Sequence, residues 1–130
     1  MEIKLTHAES EKYFYNALCN GLGQFESYGG RLSLKKECYL DSRKELQEKD
    51  SKAFICIEDV YMQGLRMGRH LFYKDEEDES LNCSICIEDI HNKVCNTPSF
   101  HLQNMINKND DADTADVILQ TVVFSEVIFG

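Results

Sequence analysis

The residues whose types and spacing suit metal chemistry lie in one short stretch, Cys83-x-x-Cys86-x₄-His91-x₃-Cys95. Zinc takes four tetrahedral Cys or His ligands, and two thiols separated by two residues can share one ion from a tight turn. The spacing approaches that of a zinc knuckle but falls one residue short in its last gap. It also lacks the glycine and aromatic residues with which a knuckle folds tightly and stacks bases. The surrounding pattern favours ordinary packing. Leu81–Ile85 reads as strand, so Cys83 points to one face while Cys86 leaves on another. His91 and Cys95 share a helix face, and two ligands do not make a structural site. Cys83-Ser84-Ile85-Cys86 is also poorly placed as a redox pair, which belongs at a helix N-terminus after a strand. A zinc module at Cys83, Cys86, His91 and Cys95 is kept as an alternative; without it the sequence implies no cofactor.

Carboxylates are the second group with chemical potential. Asp75, Glu76, Glu77, Asp78 and Glu79 form an unbroken acidic run, which is expected to be a solvated tip and a partner-binding surface. Asp110, Asp111, Asp113 and Asp116 superficially suggest a calcium loop. The segment has no glycine at the sharp turn and no glutamate at the twelfth position, as an EF-hand requires. Helix capping by Asp113 and a second acidic contact surface account for it better. His7, His70, His91 and His101 are scattered: a first helical turn, a strand start, a residue beside Glu88, and the exposed side of a helix. No nucleophile sits in a recognisable motif, and Gly21-Leu22-Gly23 has no third glycine with which to cradle a phosphate. No catalytic residue is assigned. A small enzyme or ligand-binding protein with His91, Glu88 and Asp89 near a pocket remains the alternative from another class.

The totals narrow the field. A chain of 130 residues fits one domain with one core, so residues 1–130 read as a single globular unit. Apolar residues make up 42%, enough for a packed interior. The formal net charge is -9, the wrong sign for direct nucleic-acid binding, where Lys and Arg supply most of the affinity. Six cysteines would suit a disulfide framework, but MEIKLTHAES carries no apolar leader, so reduced thiols in the cytoplasm are expected. The apolar run Val117–Phe129 is interrupted by Gln120, Thr121, Ser125 and Glu126 and is too short to span a bilayer.

These groups are positioned by elements that the pattern announces. Thr6 and Glu9 form a capping box, and Phe14, Ala17, Leu18, Gly21, Leu22 and Phe25 then recur at helical spacing. Gly21 and Gly23 predict either a break or close helix packing. Tyr28-Gly29-Gly30-Arg31 reads as a turn, and Leu34–Gln47 as a solvated surface helix. Glu48–Lys52 is a polar linker. Ile57, Val60, Tyr61 and Gly64 share a helix face, with Gly68 placed for a left-handed C-terminal cap. His70–Tyr73 and Leu81–Ile85 read as paired strands around the acidic tip. Glu88–Val94 should be a short helix, and Thr97-Pro98 should start another, with Thr97 as N-cap. The segment from Asp113 or Thr114 leans towards helix, although Val122, Val123, Val127 and Ile128 favour strand. It belongs in the core or in a contact between subunits.

Ile55-Cys56-Ile57-Glu58-Asp59-Val60 is echoed by Ile85-Cys86-Ile87-Glu88-Asp89-Ile90. The likeness stops there, so it reads as coincidence or a shared way of starting a helix rather than a repeat.

The chain's ending, Thr114–Gln120 through Phe124-Ser125-Glu126 to Phe129-Gly130, together with Ile57–Val60 and Met62-Gln63, resembles small uncharacterised proteins of phages and mobile elements from gut anaerobes. That resemblance covers about a third of the chain and implies a genetic setting, not a mechanism. The combined expectation is an α+β domain of four to six helices around a small antiparallel hairpin. Its expected role is that of a non-catalytic, acidic intracellular interaction protein with a protein partner and no membrane. A sharper version is an inhibitor whose acidic segments imitate phosphates.

Overall fold

A computed structural model describes residues 3–52 and 54–130. The order is α1 (His7–Glu26), β1 (Gly30–Ser33), α2 (Lys36–Lys49), α3 (Ile57–Arg66), β2 (Leu71–Asp75), β3 (Cys83–Ile85), α4 (Ile87–Lys93), α5 (Ser99–Ile106) and α6 (Ala112–Phe124). Single 3₁₀ turns cover Glu79–Leu81 and Val94–Asn96. The fold is α+β, as expected. The hairpin, however, is the larger part of a three-stranded antiparallel sheet in the order β1-β2-β3.

The added strand is β1, read from sequence as part of a turn. The turn covers residues 27–29 and ends at Gly29, whose φ of +111° suits glycine. Gly30 begins the strand because the ring of Tyr73, its neighbour on β2, occupies the space of a side chain: a Cβ there would lie 2.0 Å from the Tyr73 hydroxyl oxygen. Edge strands invite pairing with other chains. At β1 this is prevented by two distant side chains. The Leu32 N–H donates to Glu26 Oε2 at 2.9 Å, and its carbonyl accepts from the Tyr61 hydroxyl at 2.9 Å. Burial pushes the Tyr61 hydroxyl pKa up to about 12, so it remains a donor.

The core lies between the inner sheet face (Leu32, Leu71, Tyr73, Ile85) and α1 and α6. α1 opens with the expected capping box, Glu9 N–H to Thr6 Oγ1 at 3.1 Å and Thr6 N–H to Glu9 Oε1 at 2.9 Å. It runs unbroken past both glycines. Gly21 serves close packing, since a Cβ there would lie 2.5 Å from that of Ala115. α6 resolves the choice between helix and strand: Ile118, Leu119 and Val122 are fully buried in the chain's own core. It stops at Ser125 in the left-handed region, φ +66°. Within residues 117–129, Val127 is then the exposed large apolar side chain. α2 is the expected surface helix, tied down by Ser42, whose buried hydroxyl donates to the Val60 carbonyl. Gly68 takes φ +83° after α3, as a C-terminal cap requires. No helix among the described residues is long and apolar enough to cross a membrane.

Two caps differ from expectation. α6 is capped by Asp111, whose Oδ1 accepts the Thr114 N–H at 2.8 Å, not by Asp113. α5 begins at Ser99 after Pro98, and Thr97 is buried with its hydroxyl unpartnered among the described residues.

Candidate functional site

The cysteine–histidine quartet is not assembled. Cys83 Sγ donates to the Val123 carbonyl at 3.5 Å, Cys86 Sγ to Asp89 Oδ2 at 3.4 Å, and Cys95 Sγ to the Asn92 carbonyl at 3.4 Å. Each thiol thus has its own local acceptor, and burial pushes the thiols of Cys83 and Cys86 above their ordinary pKa, away from the thiolate a metal needs. Among the described residues no three Cys, His, Asp or Glu side chains converge as a metal site would require.

His91 turns instead to α1. Its Nε2 lies 2.8 Å from Glu11 Oε2, whose other oxygen accepts from Arg66 Nε at 2.9 Å. The ring stacks on His7, with centroids 3.9 Å apart and planes 6° apart. Glu88 is therefore not its partner, as sequence proximity suggested. Burial alone would raise the Glu11 pKa, but hydrogen bonds from His91 and Arg66 carry it below its ordinary value. The cluster joins the last residue of α3, the middle of α4 and the start of α1. Asp89 is occupied as well: its Oδ2 accepts the Cys86 N–H at 2.8 Å, and its Oδ1 lies 3.7 Å from Lys93 Nζ. His91, Glu88 and Asp89 line none of five surface hollows found among the described residues. His101 is half-buried rather than exposed, with Nδ1 3.0 Å from Thr114 Oγ1.

The two acidic segments behave differently from simple solvated runs. Asp75 is only 4% exposed, so it is no part of a tip. It accepts from the Tyr73 hydroxyl at 2.9 Å and from the backbone N–H groups of Glu77 and Asp78, both at 2.9 Å. Those two N–H groups hold its carboxyl below the usual range, and burial together with Asp75 raises the Tyr73 hydroxyl pKa. Asp75 therefore folds the loop, and Glu76, Glu77, Asp78 and Glu79 remain on its surface. Asp116 is also buried, 3% exposed, and cannot face a partner.

The start of α6 is laced to α1 by a ladder of polar contacts. Asn20 donates to Asp110 at 2.7 Å, Gln24 to Asp113 at 2.8 Å and Tyr28 to Asp116 at 2.9 Å. Asn20 and Gln24 lie four residues apart on one face of α1, and Tyr28 continues the spacing in the turn that follows. The next residue, Gly29, accepts the Glu76 N–H at 3.2 Å. Both acidic segments, more than thirty residues apart in sequence, are thus anchored on the last turns of α1 and the turn that follows it. Among the described residues none of Glu76–Glu79, Asp110, Asp111 and Asp113 makes an ion pair.

This shared anchoring was hidden from the sequence because its linkers are neutral side chains on α1. The 20/24/28 spacing of Asn, Gln and Tyr was the available signal. The sequence matches no protein-family model, and comparison with curated proteins and with solved structures finds no similar chain.

Proposed function

We propose that this chain is a non-catalytic interaction protein that docks a cationic surface of a protein partner through Glu76–Glu79, Asp110, Asp111 and Asp113. The observation that carries this reading is that α1 and the turn after it anchor both acidic segments, while among the described residues none of these carboxylates makes an ion pair. Unpaired carboxylates on the surface attract a cationic surface and speed encounter with it. Taken with the mobile-element resemblance, the partner class is a host enzyme whose basic nucleic-acid groove accepts a carboxylate array in place of phosphates, and the setting is the cytoplasm.

The test replaces Glu76, Glu77, Asp78 and Glu79 by lysine and compares proteins captured from host lysate by both forms. Loss of the captured partner with unchanged circular dichroism supports the reading. A capture pattern indifferent to the reversal overturns it.

A further inference from the structure

Against the acidic whole, one surface is cationic. The outer face of the sheet is uncovered by any helix of this chain and carries Arg31, Ser33, Phe72, Lys74 and Ser84, all but Phe72 exposed. Arg31 and Lys74 sit directly opposite each other in the β1–β2 register, and Ser33, Phe72 and Ser84 form the adjacent row. Like charges directly opposite across strands are destabilising. Among the described residues Arg31, Lys35 and Lys74 make no ion pair that would offset the cost.

The hollows on this face are continuous. One of about 430 Å³ runs between Arg31, Ser33 and Lys74. It shares Ser33 and Lys74 with a second of about 460 Å³ over Phe72. That in turn shares Phe72 with a third of about 210 Å³ beside Lys35, Arg69 and His70. Lys35 Nζ stands 5.5 Å from the Phe72 ring centroid, marking the middle of the track. Of the cations on the track, Arg69 has a carboxylate partner among the described residues, Asp41 at 3.5 Å.

We infer that this track binds a short, extended, acidic segment of a partner protein, with carboxylates at the Arg31–Lys74 pair and an apolar side chain on Phe72. Shape and charge select this occupant. The track is linear and several side chains long, which suits an extended peptide better than a compact anion. Its Arg31 end is bounded by Glu76, which lines the same hollow and opens the acidic loop. A continuous phosphate backbone would have to cross that loop, and the two rings on the track, Phe72 and His70, stand 6.4 Å apart and tilted by 37°, not in the series of stacking platforms that single-strand binders use. Strand addition at the β1 edge is closed by Glu26 and Tyr61, so recognition is through side chains on the face. The inference uses residues of opposite charge from the acidic docking face, with Glu76 at the boundary between the two.

The experiment titrates the isotopically labelled full chain with a ten-residue peptide of glutamates around a central phenylalanine, at low and at physiological salt. Expected are amide shifts confined to residues 31–35, 69–74 and 84, with affinity falling as salt rises. The double variant Arg31→Ser/Lys74→Ser should bind at least tenfold more weakly at a melting temperature no lower than the parent's, since the facing like charges are gone; Lys35→Ser serves if the double variant misfolds. Absent shifts, shifts elsewhere, or equal binding by the variants overturn the inference. So does tighter binding of a ten-residue oligothymidylate, which would make the ligand a nucleic acid. Self-association abolished by the same substitutions, with no peptide binding, would overturn it in favour of a second copy.

Discussion

Gly21 and Gly23 occupy the same helix, two residues apart, and alanine should stabilise the chain at one and not at the other. In an exposed helix interior, Gly→Ala gains about 1 kcal/mol of propensity. At Gly23 nothing lies within 4 Å of the added methyl, so the gain should be realised in full. At Gly21 the new Cβ would stand 2.5 Å from Ala115 Cβ and 2.8 Å from the Asp116 backbone nitrogen. Carbon atoms pack at about 3.5–4.0 Å, so α1 and α6 must part by about 1 Å. No flexible side-chain tip is available to yield, because two of the three nearest atoms are backbone. Overpacking of this kind costs roughly 1–3 kcal/mol and at least cancels the gain in propensity, leaving Gly21→Ala about 0–2 kcal/mol less stable than the parent. The two variants should therefore differ by about 1–3 kcal/mol, roughly 5–10 °C in melting temperature for a chain of this size. Urea unfolding monitored by circular dichroism measures both. Equal shifts in the same direction would refute the tight α1–α6 seam, and with it the geometry that anchors the acidic segments.

Glu11→Ala removes the anchor shared by His91 and Arg66 and should cost about 1–2 kcal/mol, much of it from the better-buried His91 bond, since Arg66 is half exposed. Because the Glu11 pKa is lowered in the folded chain, its contribution is full above its ordinary value of 4.5 and is lost as pH falls through the folded value. The stability gap between parent and variant should accordingly shrink in acid; a gap that widens there contradicts the clamp. Asp116 has the opposite sign. Burial raises its pKa above 3.8, so its ionisation destabilises the fold as pH rises through the raised value. Asp116→Asn keeps an acceptor for Tyr28 and Gln120, so at neutral pH it should be at least as stable as the parent, an advantage that vanishes in acid. Urea titrations at several pH values decide it, and a neutral-pH loss would overturn the account.

What could be read from the sequence was what neighbours in sequence decide. The Thr6–Glu9 box, the Gly68 cap and the apolar stripe of α1 are each specified within a few residues, and each is present. What escaped depends on distant groups. β1 is a four-residue strand beginning with glycine, recognisable only once Tyr73 is known to fill the missing side chain. Five consecutive acids look equivalent, yet Asp75 turns inward because the Tyr73 hydroxyl and two N–H groups of its own turn converge on it. His91 lies three residues from Glu88 but is held by Glu11, eighty positions away. The acidic surface was visible as composition and invisible as geometry, for its two parts are joined through uncharged residues of α1.

The echoed hexapeptide shows how a local likeness can have a local cause and still serve the whole. In both copies the cysteine is the N-cap and the aspartate three residues on accepts the cysteine N–H, at 3.1 Å in Cys56–Asp59 and 2.8 Å in Cys86–Asp89. An acid in the first turn also meets the favourable end of the helix dipole. The same five residues, followed by Val60 in one copy and Ile90 in the other, thus start α3 and α4, and the divergent residues that follow give each helix its own contacts. Both helices pack on α1, where Asp59 also accepts the Tyr15 hydroxyl at 2.7 Å. They then meet at one carboxylate, Glu11, through Arg66 from α3 and His91 from α4. A shared starting device followed by different downstream partners needs no duplication to explain it. It also gives His91 and the acids beside it a structural occupation, which is why the chemistry proposed for this chain lies on its surfaces.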